Sequence, residues 1–199
     1  MQWAGYVGLF AIIFTETGLF FGFLLPGDSL LITAGLLIAQ PQFSGLLDIW
    51  KLGFLLTAAA ILGDNTNYWV GRTAGPRIFA REDSFLFKRK HLAQAEAFYA
   101  RHGAKTVVLA RFVPIVRTFA PLVAGAARMP YRTFVTYSVT GGIAWIWSML
   151  LLGYFLGSRV PGAAKYLELL IIGVIAVSLL PGVLHWLRAR RAAAAAAQG

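Results

Sequence analysis

The sequence predicts an all-α integral membrane protein, and three observations support that fold class. Of its 199 residues, 58% are hydrophobic and only 13% are charged, and the mean hydropathy is +0.68. Several apolar stretches approach or exceed the roughly 20 residues that a helix needs to cross a bilayer. A chain of this length has room for one compact bundle. We therefore predict a single membrane domain over residues 1–187, followed by a basic, alanine-rich tail at residues 188–199.

The first element is predicted to be a re-entrant helical hairpin over about residues 4–39. Its first arm carries Glu16 and ends at Pro26-Gly27, where helix is disfavoured and the chain can reverse. Its second arm is too short to span a bilayer at the rise of an α-helix. Both arms are therefore expected to open to the same side of the membrane, with Asp28 at the turn.

An apolar span is predicted at residues 51–71, and its second half carries Asp64 and Asn67. Polar residues inside a membrane segment typically face a cavity or the interior of the bundle. Residues 72–105, which begin with Arg72, are polar and basic. Because cytoplasmic loops carry an excess of lysine and arginine, this loop is assigned to the cytoplasm.

A second re-entrant hairpin is predicted at residues 106–129. The sign of its buried charge is opposite to that of the first, because Arg111 and Arg117 lie in its apolar segment. Two prolines, Pro114 and Pro121, are expected to interrupt that segment. The second hairpin is flanked by basic residues and is expected to enter from the cytoplasm.

Two further spans are predicted at residues 133–157 and 168–187, which brings the number of transmembrane helices to about three. The loop assignment makes the two hairpins enter from opposite faces, each followed by a span. This arrangement is an inverted-topology repeat. Gly35 and Gly125 occupy comparable places in the two halves.

Five ionisable side chains fall in these embedded segments, and they are the candidate functional residues. At about 3 kcal/mol each for exposure to lipid, their cost would be comparable with the net stability of a whole domain. They are therefore expected to converge on one another, on water or on a ligand. Three acids against two arginines leave one acid as a candidate proton carrier, and the arginine fork matches phosphate oxygens. The five are Glu16, Asp28, Asp64, Arg111 and Arg117.

Several other function classes are disfavoured by the residue content. The chain has no cysteine, and its histidines lack metal-ligand spacing, so no metal and no cofactor are expected. The net charge of +10 is not accompanied by a motif that reads nucleic acid. A lipid phosphatase would need a nucleophile or metal constellation, which is not apparent. Static ion pairs that lock the hairpins together are the structural alternative.

Together these motifs resemble the DedA family of small bacterial membrane proteins, also called SNARE-associated or VTT-domain proteins. The resemblance extends from Glu16 to Gly157, and Asn67 departs from it, because glycine is common at that position of the family. The motifs that carry the resemblance consist of Glu16, Pro26-Gly27-Asp28-Ser29, Gly63-Asp64, Tyr68, Gly71-Arg72, Arg111-Phe112-Val113-Pro114, Arg117, Pro121 and Ala124-Gly125.

The resemblance implies a lipid transporter, not an enzyme, with two facing re-entrant hairpins in the bacterial cytoplasmic (inner) membrane. Arg111 and Arg117 would bind the substrate phosphate, and Glu16 and Asp28 would carry the coupled proton. The supporting residues would be Asp64, Asn67, Arg72, Pro26, Gly27, Pro114, Pro121 and Gly125.

The expected activity is that of a polyprenyl (undecaprenyl) phosphate flippase, coupled to the proton gradient, that recycles carrier lipid for cell-envelope synthesis. Two alternatives keep the same site and change the cargo. One is a phosphatidylethanolamine or other phospholipid scramblase or flippase, and the other is a proton-linked transporter of a small ion. The expected partners are a lipid phosphate, protons and the membrane, and the sequence leaves a homo-oligomer open.

Overall fold

The computed structural model describes residues 2–19, 27–43, 47–78, 108, 111–112 and 114–159. Within them the chain forms helices and no strand, as the sequence predicts. A short 3-10 turn at Pro41–Phe43 follows the second helix. The α-helices are α1 (Gln2–Gly18), α2 (Gly27–Ile38), α3 (Ile49–Ile78), α4 (Pro114–Ala126) and α5 (Tyr131–Arg159).

Helix α5 is the one helix in the described part of the chain that is long and apolar enough to cross a membrane. Its 29 residues correspond to about 43 Å at 1.5 Å per residue. Helix α3 is one residue longer, with 30 residues, but its second half carries polar and charged side chains. Helices α1, α2 and α4 are apolar and shorter.

Helix α3 extends past the end that the sequence predicts for its span. The prediction ends the span at Gly71, whereas α3 continues to Ile78, so the first residues of the predicted loop are helical. Packing against α4 explains the extension, because Gly71 lies on the carbonyl of Leu122 and Gly75 lies on the side chain of Ala126. The remainder of the predicted loop lies outside the described residues.

Pro121 lies inside α4 and does not interrupt it, contrary to the sequence prediction. A proline removes one backbone donor, here the one that would bond to the carbonyl of Arg117. The flanking turns stay helical because their small and apolar side chains, Ala120, Leu122 and Ala124, are buried.

Several predicted features lie wholly or largely outside the described residues. These are the turn of the first hairpin with Pro26, most of the first arm of the second hairpin, the span at 168–187 and the tail at 188–199.

The described helices pack in two groups. Helix α2 lies along α5, and α3 lies along both α1 and α4. The contact between α3 and α5 joins the two groups and is less extensive. We call them the α2–α5 pair and the α1–α3–α4 group.

Within each group, glycines let two helix backbones touch. A Cβ at any of these glycines would overlap a carbonyl oxygen of the facing helix, so no larger residue fits without a shift. In each contact, both helices contribute one glycine that faces a carbonyl of the other helix, and this arrangement is found in both groups. They are Gly35 on Leu150 and Gly153 on Ile32 between α2 and α5, and Gly71 on Leu122 and Gly125 on Tyr68 between α3 and α4.

Side chains rather than glycine backbones fill the space between the two groups. The apolar core draws on four helices, and one face of it lies next to the buried charged residues described below. Its largest fully buried members are Trp145, Ile13, Leu31, Leu52, Leu56, Ile146 and Leu150.

Candidate functional site

Arg117 of α4 is paired with two carboxylates from different helices. Its Nη2 donates to Glu16 Oε1 at 2.5 Å, and its Nη1 donates to Asp28 Oδ1 at 2.8 Å. Glu16 lies in the last turn of α1, and Asp28 lies in the first turn of α2. The planar guanidinium therefore joins the end of one helix to the start of another.

Trp145 of α5 completes this arrangement. Its indole Nε1 donates to Asp28 Oδ1 at 2.7 Å, and the Cζ atom of Arg117 lies 4.2 Å from the centre of the indole ring. At that distance the ring attracts the guanidinium through its negative face. We call Glu16, Asp28, Arg117 and Trp145 the Arg117 cluster.

The members of the Arg117 cluster differ in exposure. The side chains of Glu16 and Arg117 are 1% and 4% exposed, whereas that of Asp28 is 34% exposed. Asp28 is therefore the charged member that an external ligand or water reaches first.

The second oxygen of Glu16 lies against the start of α2. Oε2 has no side-chain hydrogen-bond partner among the described residues, and it occupies the space where a Cβ of Gly27 would be. The N-terminus of a helix carries a partial positive charge and free backbone N–H groups, which favour an anion there. Gly27 thus makes room for the carboxyl group at a favourable place.

Arg111 forms a second charged group with Asp64 of α3 and Ser138 of α5. Its Nη2 donates to Asp64 Oδ2 and to Ser138 Oγ at 3.1 Å. The Ser138 hydroxyl in turn donates to Asp64 Oδ2 at 2.7 Å. We call these three residues the Arg111 cluster.

The guanidinium of Arg111 is held against the backbone of α5. Gly141 and Gly142 line it, and a Cβ at Gly141 would lie 2.8 Å from Arg111 Cδ. Its Nε and Nη1 atoms are buried and have no hydrogen-bond partner among the described residues. Two donors are therefore left for a group that these residues do not supply.

The two clusters differ in formal charge and share a location. The Arg117 cluster holds two acids and one arginine, and the Arg111 cluster holds one of each. In the Arg117 cluster, Glu16 and Arg117 of the α1–α3–α4 group meet Asp28 and Trp145 of the α2–α5 pair. In the Arg111 cluster, Asp64 of the α1–α3–α4 group meets Ser138 of the α2–α5 pair. The charges therefore lie where the two helix groups meet.

Asn67 lies on α3, about one turn after Asp64. It is buried, and its Nδ2 donates to the carbonyl of Thr17 at 3.3 Å and to that of Thr118 at 2.8 Å. These carbonyls follow Glu16 and Arg117 in the chain.

The other predicted supporting residues lie outside both clusters. Arg72 is exposed, donates to the Tyr68 hydroxyl at 2.9 Å and has its Cζ 5.9 Å from the ring centre of Trp69. Gly125 takes part in the α3–α4 contact. Pro114 is the first residue of α4 and Pro121 lies within it.

The sequence did not predict a site role for two residues of the clusters, Trp145 and Ser138. A tryptophan and a serine within a long apolar span are usual packing residues, so Trp145 and Ser138 carried little signal. The position of Trp145 could have indicated a further role, since it lies near the middle of α5 rather than at a membrane interface, where tryptophan is enriched.

The acids of both clusters are paired with arginines rather than with one another. Within the described ranges, no three histidine or carboxylate side chains lie close enough together to hold a metal ion. The chemistry that this arrangement supports is the binding of an anion and the movement of a proton.

Comparisons with known proteins identify the family. The profile of the VTT domain matches residues 25–155. Protein DedA of Escherichia coli (strain K12) is 47% identical over 193 residues, which cover 97% of this chain and 87% of that protein. No solved structure gives a significant match.

Two mycobacterial relatives are named uncharacterized membrane proteins. That of Mycobacterium leprae is 42% identical and covers 92% of this chain and 84% of its own length. That of Mycobacterium tuberculosis (strain CDC 1551 / Oshkosh) is 43% identical and covers 96% of this chain and 87% of its own length. The matched region and the high identity over nearly the whole length show that the chain belongs to the VTT-domain, or DedA, family of membrane proteins.

Proposed function

We propose that the protein is a translocase for polyprenyl (undecaprenyl) phosphate, coupled to the proton gradient, in the bacterial cytoplasmic membrane. The observation that carries this proposal is that one buried arginine, Arg117, is shared by two carboxylates, Glu16 and Asp28. A buried arrangement with an excess of one acid is a costly way to stabilise a bundle. It is well suited to exchanging an anion and a proton.

The phosphate would bind where the carboxylates now lie. Carboxylate and phosphate oxygens both match the arginine fork, so a phosphate can replace Asp28, the more exposed of the two acids. The start of α2 adds backbone N–H groups and the positive end of the helix dipole, which favour a phosphate. Half-helices that begin at a binding site in this way are common in transporters.

Arg111 would be the second phosphate-binding residue. Its charge is held in place by Asp64 and Ser138, and its two donors without a partner among the described residues, Nε and Nη1, are the ones a phosphate would use. Arg117 would therefore exchange Asp28 for the phosphate during transport, whereas Arg111 would keep Asp64 as its partner.

Glu16 is the proposed carrier of the coupled proton. Both oxygens of Asp28 already receive hydrogen bonds, from Arg117 and from Trp145. Glu16 is more deeply buried, and its Oε2 lacks a side-chain partner among the described residues. A proton on Glu16 would remove the excess negative charge and release part of the hold on Arg117.

Alternating access would follow from the two helix groups. Glycine contacts hold each group together, while the charged clusters and side-chain packing join one group to the other. Rocking of the α2–α5 pair against the α1–α3–α4 group would open the Arg117 cluster. The repeated glycine contacts support the proposed inverted repeat, in which the shorter helices α2 and α4 belong to two opposed re-entrant hairpins.

The experiment is leaflet-resolved measurement of undecaprenyl phosphate in vesicles that contain the purified protein, with and without a pH gradient. Arg117→Ala is expected to abolish translocation. Arg132→Ala is the matched control, because Arg132 is exposed on α5 and belongs to neither cluster. To separate the alternative cargoes, phosphatidylethanolamine is included in the same vesicles as a competing lipid, and inorganic ions are added to the buffer as competitors. Equal translocation by the wild type and Arg117→Ala would overturn the proposal.

A further inference from the structure

Asn67 contacts both helices that carry the Glu16–Arg117 pair. Helices α1 and α4 make few contacts with each other, and each packs instead along α3. The separation of Glu16 from Arg117 is therefore set through α3. Asn67, 2% exposed, is the α3 side chain that bonds to both helices.

Asn67 binds one carbonyl at the end of α1 and one in the proline-containing part of α4. Thr17 lies in the last turn of α1, where carbonyls have no partner within the helix. Thr118 lies in the turn of α4 that precedes Pro121, which removes the backbone donor for the carbonyl of the adjacent Arg117. Both acceptors are carbonyls, so the amide can serve both only through its Nδ2 group.

We infer that Asn67 is a positioning residue that fixes the distance between Glu16 and Arg117 while the α2–α5 pair moves. The consequence for transport rests on the proposed function, whereas the placement of α1 and α4 rests on the two hydrogen bonds of Asn67. Helix α3, which carries Asn67, and its two partner helices, α1 and α4, belong to one group. The Glu16–Arg117 pair would therefore stay intact, and Asp28 and Trp145 would leave when the groups separate.

The other side chains of this part of α3 do not perform this role. Thr66 is exposed and donates only within its own helix, to Leu62. Asn65 donates to Ile61 of the same helix and accepts from the Tyr131 hydroxyl. Thr66→Val is therefore a matched control that removes a polar group next to Asn67 without touching α1 or α4.

The test has two readouts. The chain has no cysteine, so spin labels can be attached to cysteines introduced at two exposed positions, Ala11→Cys of α1 and Val116→Cys of α4. Pulsed electron paramagnetic resonance then measures the distance between the two labels. Asn67→Leu and Asn67→Asp, which lack the amide donors, are expected to broaden that distance distribution. Asn67→Gln, which keeps the donors, is expected to retain one narrow population, as is Thr66→Val.

Translocation is the second readout. The leucine and aspartate variants are expected to lose on the order of tenfold in rate, the effect of about one hydrogen bond, and to show an altered dependence on pH. Narrow, wild-type distances in both variants would overturn the inference. If the leucine variant does not fold, the aspartate variant decides. Because the distances do not depend on cargo, they test Asn67 even if no polyprenyl phosphate is moved.

Discussion

Arg117 and Glu16 lie 101 positions apart in the chain, yet Nη2 of the arginine donates to Oε1 of the acid at 2.5 Å. The contact brings the end of α1 to the first turns of α4. Because the same guanidinium also binds Asp28, any anion that enters must compete with a carboxylate already present. Binding of the anion and release of the carboxylate are therefore linked at one side chain.

Arg117→Lys is expected to lower the rate of polyprenyl phosphate translocation by about tenfold or more. Lysine keeps the charge, but its single ammonium group cannot hold Glu16 and Asp28 with two separate nitrogen atoms as the arginine fork does. Initial rates in vesicles would measure the effect, with Arg132→Lys as the control. A wild-type rate for Arg117→Lys would show that the fork geometry is not needed.

Glu16→Gln and Asp28→Asn are expected to have different effects on proton coupling. Glutamine at position 16 cannot release a proton, so translocation should become independent of the pH gradient. Asparagine at position 28 leaves Glu16 in place, and the response to the gradient should persist at a changed rate. Rates measured with and without a gradient distinguish the two. Loss of the response in Asp28→Asn alone would reassign the proton to Asp28.

The sequence predicted the helical class and singled out the five charged residues of the apolar segments because both follow from local composition. A carboxylate or an arginine in an apolar segment is costly wherever the chain places it, so Glu16 and Arg117 could be singled out without a structure. The partners could not be predicted, because they depend on how distant helices pack. Hence only the structure shows that the charged residues divide into the Arg117 cluster and the Arg111 cluster.

Boundaries and packing residues were harder to predict for the same reason. Helix α3 continues past Gly71 because α4 lies alongside it, and α4 continues through Pro121 because its neighbouring turns are buried. Trp145 is a buried packing residue, as its place in an apolar segment indicates. Its Nε1 also donates a hydrogen bond to Asp28. Its second role depends on a carboxylate that lies 117 positions away.

Asp64→Asn is expected to destabilise the protein by about 3–5 kcal/mol, because it leaves the buried charge of Arg111 without an anion. The double variant Asp64→Leu with Arg111→Met removes both charges and should recover most of that stability. It should not recover translocation if Arg111 binds phosphate. Thermal unfolding in detergent and the vesicle assay measure the two effects separately. A stable and fully active double variant would make the Arg111 cluster a static ion pair.

Gly27→Ala is expected to lower the thermal unfolding temperature and the translocation rate, because the added Cβ would overlap the Glu16 carboxyl group. Overpacking of this kind costs about 1–3 kcal/mol. Gly8→Ala is the matched control, since its Cβ would meet no atom within 4 Å, and alanine favours a helix over glycine. If the carboxyl is the cause, Glu16→Asp, which is shorter by one methylene, should reduce the cost of Gly27→Ala in a double-mutant cycle. Additive effects of the two substitutions would instead place the strain in the backbone at the start of α2.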